Sequence, residues 1–356
     1  MIATLIESFV QIQKMHMHFG TFGEIPTRIC PHCNQDERHQ SHWVTGKGWQ
    51  VGLNCETGHR YLHKETEHLE AHNRGLFFVP FFRCEEGENM EYRILNRKDA
   101  LAGACVDYRI DDCYQAMGQE CLKNNIKIRN VTLPEIQVIE QQAFCGCTAL
   151  RTVEFPKIRK VKEEAFANCS NLKEIQFSEN LCAIGGQAFY KCKRIENVDF
   201  QENSQCKTIA SGTFAECRQM KHVTLPKELE VIEEEAFYKC EALQEIELPF
   251  TLRMIGQRAF YQCGLRQVKL PDALTFIGES AFLKCKSLEY VKIPKSVQTI
   301  GKWAFHGCGK LKTLEIHHDP DTVGDWITNK NCTIRCKKGS KMEEYAEKYG
   351  MCLEFL

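Results

Sequence analysis

The sequence predicts a repeat solenoid: a β-rich right-handed coil of about eight 22–25-residue repeats with terminal caps, plus a small N-terminal α+β module. Three observations predict it. One pattern, apolar-Gly/x-x-x-Ala-Phe-x-x-Cys-x-x-Leu-x-x-Val-x-Leu-Pro, recurs between residues 125 and 328. Its anchor phenylalanines, Phe144, Phe166, Phe189, Phe214, Phe237, Phe260, Phe282 and Phe305, are spaced by 22, 23, 25, 23, 23, 22 and 23 residues, the period of a stacked coil. Apolar residues alternate with polar ones just before each proline, which is strand spacing.

A single repeat cannot bury its own apolar side. In Leu243-Gln-Glu-Ile246-Glu-Leu248-Pro249, Ile246 and Leu248 point inward and Pro249 closes the strand, because it cannot donate to a continuing ladder. Ile255, Ala259 and Phe260 then fill the coil, and Cys263 ends it. Stacked coils share one core, with strands paired in parallel about 4.8 Å apart. Substitutions within the pattern are mild (Thr213 for Ala, Met220 and Ile195 for Leu), and two extra residues near Gln201–Cys206 read as a local loop.

The cysteine column (Cys147, Cys169, Cys192, Cys217, Cys240, Cys263, Cys285, Cys308) reads as buried thiols bonded weakly to backbone. Column neighbours at the strand spacing have parallel Cβ vectors, beyond the ~3.8 Å Cβ separation of a disulfide.

The segment Ile277-Gly278-Glu-Ser-Ala281-Phe282-Leu-Lys-Cys285-Lys-Ser-Leu288-Glu-Tyr-Val291-Lys-Ile293-Pro294 closely resembles the BspA-like leucine-rich repeat. The resemblance covers a little over half the chain. It implies a leucine-rich repeat fold and an interaction surface without a fixed ligand.

Residues 1–25 carry an N-terminal amphipathic helix with Ile2, Leu5, Ile6, Phe9 and Val10 at three-four spacing, expected to dock on the chain's own core. Residues 26–72 hold most of the histidines together with Cys30-Pro31-His32-Cys33 and Cys55-Glu-Thr-Gly-His59. Between these pairs Trp43–Val51 reads as a hairpin with glycines at its turn. Two ligand pairs separated by a hairpin resemble a zinc ribbon. The expected ligands of one structural zinc ion are Cys30, Cys33, Cys55 and His59, with His32, His39, His42 or His63 as substitutes for the second pair. Four protein ligands close the shell, so the metal would be structural rather than catalytic.

Residues 73–124 are expected to connect the two parts and cap the solenoid. Gly75–Arg83 is an aromatic strand expected to pack in a core, Asn96–Ala104 a short helix with an Asn cap, and Ile110, Cys113, Tyr114, Met117 and Cys121 mark another helix. Residues 329–356 read as a strand-helix-strand cap. Cys332–Cys336 is its first strand, Ser340 and Glu343 form a capping box, Gly350 ends the helix, and Met351–Leu356 is the last strand.

Net charge is −1, which gives no global pull toward nucleic acid or anionic membrane. The N-terminus lacks the basic region and cleavage site of a signal peptide, and no apolar run approaches the ~18 residues that span a bilayer. With 21 cysteines reading as thiols, the expected location is cytoplasmic.

In a solenoid, specificity belongs to the outward strand positions. The expected partner-binding residues are Glu154, Gln176, Asp199, His222, Thr224, Glu245, Glu247, Lys269, Tyr290 and Lys292. That mixed face suits a protein or peptide and suits a phosphate backbone poorly. No Gly-x-Ser-x-Gly, P-loop, His-Glu-x-x-His or Gly-x-Gly-x-x-Gly motif is present, and Glu315–Asp319 reads as a loop whose two histidines diverge. The expectation is a non-enzymatic interaction scaffold with a structural zinc module. The alternative is nucleic-acid binding through residues 26–72, where Lys47, Arg60 and Lys64 with Trp43 and Trp49 supply charge and stacking.

Overall fold

The computed structural model describes residues 92–201 and 203–356, and before them the backbone of the strands Ser41–Gly46, Trp49–Asn54, His59–Lys64, Phe82–Arg83 and Asn89–Met90. The chain divides into two compact units, residues 1–78 and 79–356.

In the first unit, β1 (Ser41–Gly46), β2 (Trp49–Asn54) and β3 (His59–Lys64) form an antiparallel meander in that order. The expected hairpin is present. Gly46 pairs with Trp49, so only two residues join the strands, the shortest common hairpin link. Asn54 pairs with His59, and Cys55 to Gly58 join β2 to β3. Cys30, Cys33, Cys55, the His59 side chain and the helix expected over residues 2–13 lie outside the described residues.

The second unit is the solenoid. Its spine is an eleven-stranded sheet of two-residue strands running from Ile94–Leu95 to Thr322–Val323, each pairing in parallel with the next coil. The number of turns is therefore eleven, against the eight read from the phenylalanines. The additional coils carry Ile94–Leu95, Ala116–Met117 and Thr322–Val323. In the second of these, Cys121 and Leu122 occupy the Ala-Phe place. Leu122 is fully buried, and its N–H donates to the Ala143 carbonyl just as Phe144 N–H donates to Ala165. In the last, Ile327 and Thr328 take that place and are also fully buried.

The helix expected from Ile110 to Cys121 is absent, and Ala116–Met117 is a strand instead. Ile110, Met117 and Cys121 are buried core residues of the coil, so its corners generated the three-four spacing. The preceding helix is present as α1 (Arg97–Gly103), with the Asn96 side chain accepting from Asp99 N–H at 3.0 Å. Phe82–Arg83 pairs antiparallel with Asn89–Met90.

The C-terminal cap matches expectation. Thr333–Cys336 joins the preceding strand, α2 (Lys341–Tyr349) follows, and Cys352–Phe355 pairs in parallel with Thr333–Cys336. Ser340 caps α2, and Gly350 ends it with a left-handed φ of 62°. Glu343 accepts from Gly339 N–H rather than from Ser340, a shifted form of the capping box.

The core is a column of stacked rings. Neighbouring Phe144–Phe166, Phe166–Phe189 and Phe237–Phe260 centroids lie 4.9, 5.2 and 5.3 Å apart with planes within 4°. A second ladder, Phe155, Phe177 and Phe200, fills the strand side of three coils, at 5.7 and 4.6 Å. The cysteine column consists of free, buried thiols. Each donates to the carbonyl of a residue in the preceding coil, as Cys169 does to Phe144, Cys192 to Phe166 and Cys240 to Phe214, at 3.1–3.3 Å. The Phe166 carbonyl thus accepts the Cys169 N–H and the Cys192 thiol together, which uses both of its lone pairs.

The strand face as candidate functional site

The x-Val-x-Leu segments carry the second sheet surface. In Thr152–Glu154 and Glu174–Gln176 the outward residues are exposed and the residue between them is buried. This surface is not one continuous sheet. It divides into three: Asp107–Arg109 with Asn130–Thr132 and Thr152–Glu154; Glu174–Gln176 with Asn197–Asp199 and His222–Thr224; and Tyr290–Ile293 with Thr313–Ile316, Thr333–Cys336 and Cys352–Phe355. Residues 245–248 and 267–270 lie between the second and third sheets without regular pairing. There the coil is one residue shorter between Cys263 and Leu265 than between Cys240 and Leu243. Gly264 passes so close to the neighbouring coil that a Cβ would sit 2.3 Å from the Glu241 carbonyl oxygen.

Of the ten expected partner-binding residues, Glu154, Gln176, His222, Thr224, Glu245, Glu247, Lys269, Tyr290 and Lys292 are exposed and Asp199 is half-buried. Their surroundings differ along the array. At the C-terminal end the charges satisfy one another. Register places Lys292, Glu315, Arg335 and Glu354 side by side on four strands, an alternation of sign. Glu315 is buried, with Lys292 Nζ at 3.2 Å, Arg335 Nη1 at 3.3 Å and His317 Nε2 at 2.6 Å, and it accepts from Tyr290 OH at 2.9 Å. Arg335 Nη2 also donates to both Glu354 oxygens at 2.9 Å. Burial raises the Glu315 pKa, but the bonds from Tyr290, Lys292 and His317 outweigh it and hold the carboxyl at about 2, below its ordinary 4.5.

Tyr290 and Lys292 are therefore committed internally. Sequence reasoning missed the role of Glu315, and it missed Arg335. The alternation of sign across paired strands was the available signal. His318 turns away to the Val297 carbonyl at 2.7 Å, so the two histidines diverge as expected, although Glu315 itself lies in a strand and not in a loop.

The middle of the face is different. Among the described residues the Glu154 carboxylate accepts only from Thr132 Oγ1, at 3.4 Å, and Glu174, Asp199, Glu245 and Glu247 have no cationic partner. Five carboxylates thus stand against Lys269 over six coils, about 24 Å at the strand spacing. Among the described residues no cluster of three or more His, Cys, Asp or Glu is arranged to hold a metal, and no helix is long and apolar enough to cross a membrane.

Comparison with known proteins agrees with this architecture. Residues 115–219 and 207–335 match the BspA type leucine rich repeat region. A leucine-rich repeat protein from Bacteroides ovatus superposes with a TM-score of 0.51 at 18% identity, covering 91% of this chain and all 100% of its own. The pneumococcal vaccine antigen PcpA gives 0.44 at 16% identity, covering 78% of this chain and 82% of its own. A leucine rich cell surface protein from Faecalibacterium prausnitzii gives 0.37 at 19%, covering 88% and 94%. No curated protein matches significantly. With the family match spanning well over half of its length, the chain belongs to the BspA-type leucine-rich repeat family.

Proposed function

We propose that the chain is a non-enzymatic interaction scaffold that holds a cationic segment of a protein partner along the middle of its strand face. The observation that carries this reading is the contrast along that face. Among the described residues the strand-face carboxylates Glu154, Glu174, Asp199, Glu245 and Glu247 have no cationic partner, whereas Glu315 and Glu354 are paired with Lys292 and Arg335. A row of largely exposed carboxylates on stacked coils, without cationic partners among the described residues, steers and registers a basic peptide and weakens with added salt. The test is titration of the intact chain with a labelled octalysine peptide. Binding is expected at low ionic strength and should weaken at least about tenfold in the Glu245→Lys/Glu247→Lys variant. Equal affinity in the two proteins would remove this face from the account.

For the N-terminal unit we propose one structural zinc ion held by Cys30, Cys33, Cys55 and His59. Thiolate and imidazole spacing supports it, as does the meander in which a short link bearing Cys55 leads into His59. The ion would brace the unit and supply no chemistry. Metal analysis of the purified intact chain should return about one zinc per chain, lost in Cys30→Ser/Cys33→Ser; a metal-free native chain would end the proposal. The abundance of free thiols, exposed Cys105 and Cys352 among them, supports a cytoplasmic setting.

A further inference from the structure

We propose that the long sheet carries a second interaction surface, a basic groove beside the residue 201–206 insertion, which takes an extended acidic segment of a protein partner. The groove has a volume of about 1020 Å³ and lies on the outward side of the coils whose strands are Lys160–Val161, Ala183–Ile184 and Thr208–Ile209.

Its origin is in the sequence. Phe200 and Ile209 are nine positions apart, whereas the equivalent Phe177 and Ile184 are seven apart. The extra length folds Ser204 inside, where its hydroxyl donates to the Leu181 carbonyl at 3.0 Å. Cys206 fills the buried place that Leu181 and Leu229 fill in flanking coils. The ladder narrows here to a single pair, Ile184 with Ile209, while the neighbouring coils pair two residues. A larger gap therefore opens in front of Ala183, an exposed outward residue flanked by the longer Lys160 and by Thr208.

The walls are cationic. Lys157 and Lys207 line the groove while pairing with Glu135 at 2.7 Å and Glu230 at 3.2 Å. Arg159 and Lys160 line it with no anionic partner among the described residues. Two half-buried, unpaired cations over a small floor favour a carboxylate-bearing occupant. Glu179 and Glu228 also line the groove, which repels an unbroken phosphate backbone but suits a peptide with spaced charges. From Gln137 to Thr208 the groove crosses four coils, about 14 Å, the length of roughly four extended residues.

The test uses the intact chain and a fluorescein-labelled decaglutamate peptide at low ionic strength. The wild-type chain should bind it. Arg159→Glu/Lys160→Glu should weaken binding at least about tenfold, and so should Ala183→Trp, which fills the floor without altering charge. Ala183→Trp should keep its octalysine binding, which shows the variant folded and separates this surface from the strand face. Absence of decaglutamate binding, or equal binding by the variants, overturns the proposal. A ten-residue oligothymidine that binds more tightly and is lost in both variants would overturn it in favour of nucleic acid. Concentration-dependent self-association lost in both variants would assign the groove to a second copy of the chain.

Discussion

In eight of the eleven coils a corner thiol reaches a carbonyl of the coil before it, and this accounts for cysteine at position after position of a column with no disulfide. Burial raises the pKa of the Cys240 thiol, which keeps the proton that the bond to Phe214 requires. Removing that thiol in Cys240→Ala loses one buried bond and leaves a small void, so denaturant unfolding should show a loss of about 1–2 kcal/mol. Glu315 gives a pH signature of opposite kind. Its folded pKa of about 2 lies below the ordinary 4.5, so its contribution is complete above pH 4.5 and is lost as pH falls toward 2. Stability measured between pH 5 and pH 2.5 should therefore fall less steeply in Glu315→Gln than in the wild type, with the variant already weaker at pH 7; parallel curves would show that the Lys292–Glu315–Arg335 network contributes nothing. The phenylalanine and cysteine columns were legible residue by residue because each position recurs. The network was not, because it depends on which residues face each other across strands.

At the scale of the element, each coil is a strand, a corner and a second strand, and close stacking limits what the corner tolerates. Gly278 follows a two-residue strand, and a Cβ there would stand 2.6 Å from the Gly256 carbonyl carbon. The atoms it would meet are backbone of the preceding coil, which cannot yield as a side chain would. Gly278→Ala should thus cost about 1–3 kcal/mol in equilibrium unfolding, although it adds one methyl group. An undiminished midpoint would mean that the coils are spaced more loosely than the structure shows. The two capping helices were legible from Asn96, Ser340 and Gly350, since caps are local chemistry. The Ala116–Met117 coil was misread as a helix because its anchor is Leu122 instead of phenylalanine, and coil corners place apolar residues at helix-like spacing.

On the scale of the whole molecule, eleven coils form one continuous core, and function is left to what stands outside it. The solenoid was legible because its period repeats. Division of the strand face into three sheets was not, because small changes in coil length, such as the missing residue beside Gly264, act through the neighbouring coil. The neutralisation of Lys292 by Glu315 was likewise not legible, because it depends on strand register. The most direct test of the scaffold reading is affinity capture from source-cell lysate with the intact chain and with Glu245→Lys/Glu247→Lys, each with and without nuclease treatment. The account predicts a discrete protein carrying a basic segment, recovered by the wild type equally with and without nuclease and lost with the variant. Recovery unchanged in the variant, or material that disappears on nuclease treatment, would contradict it.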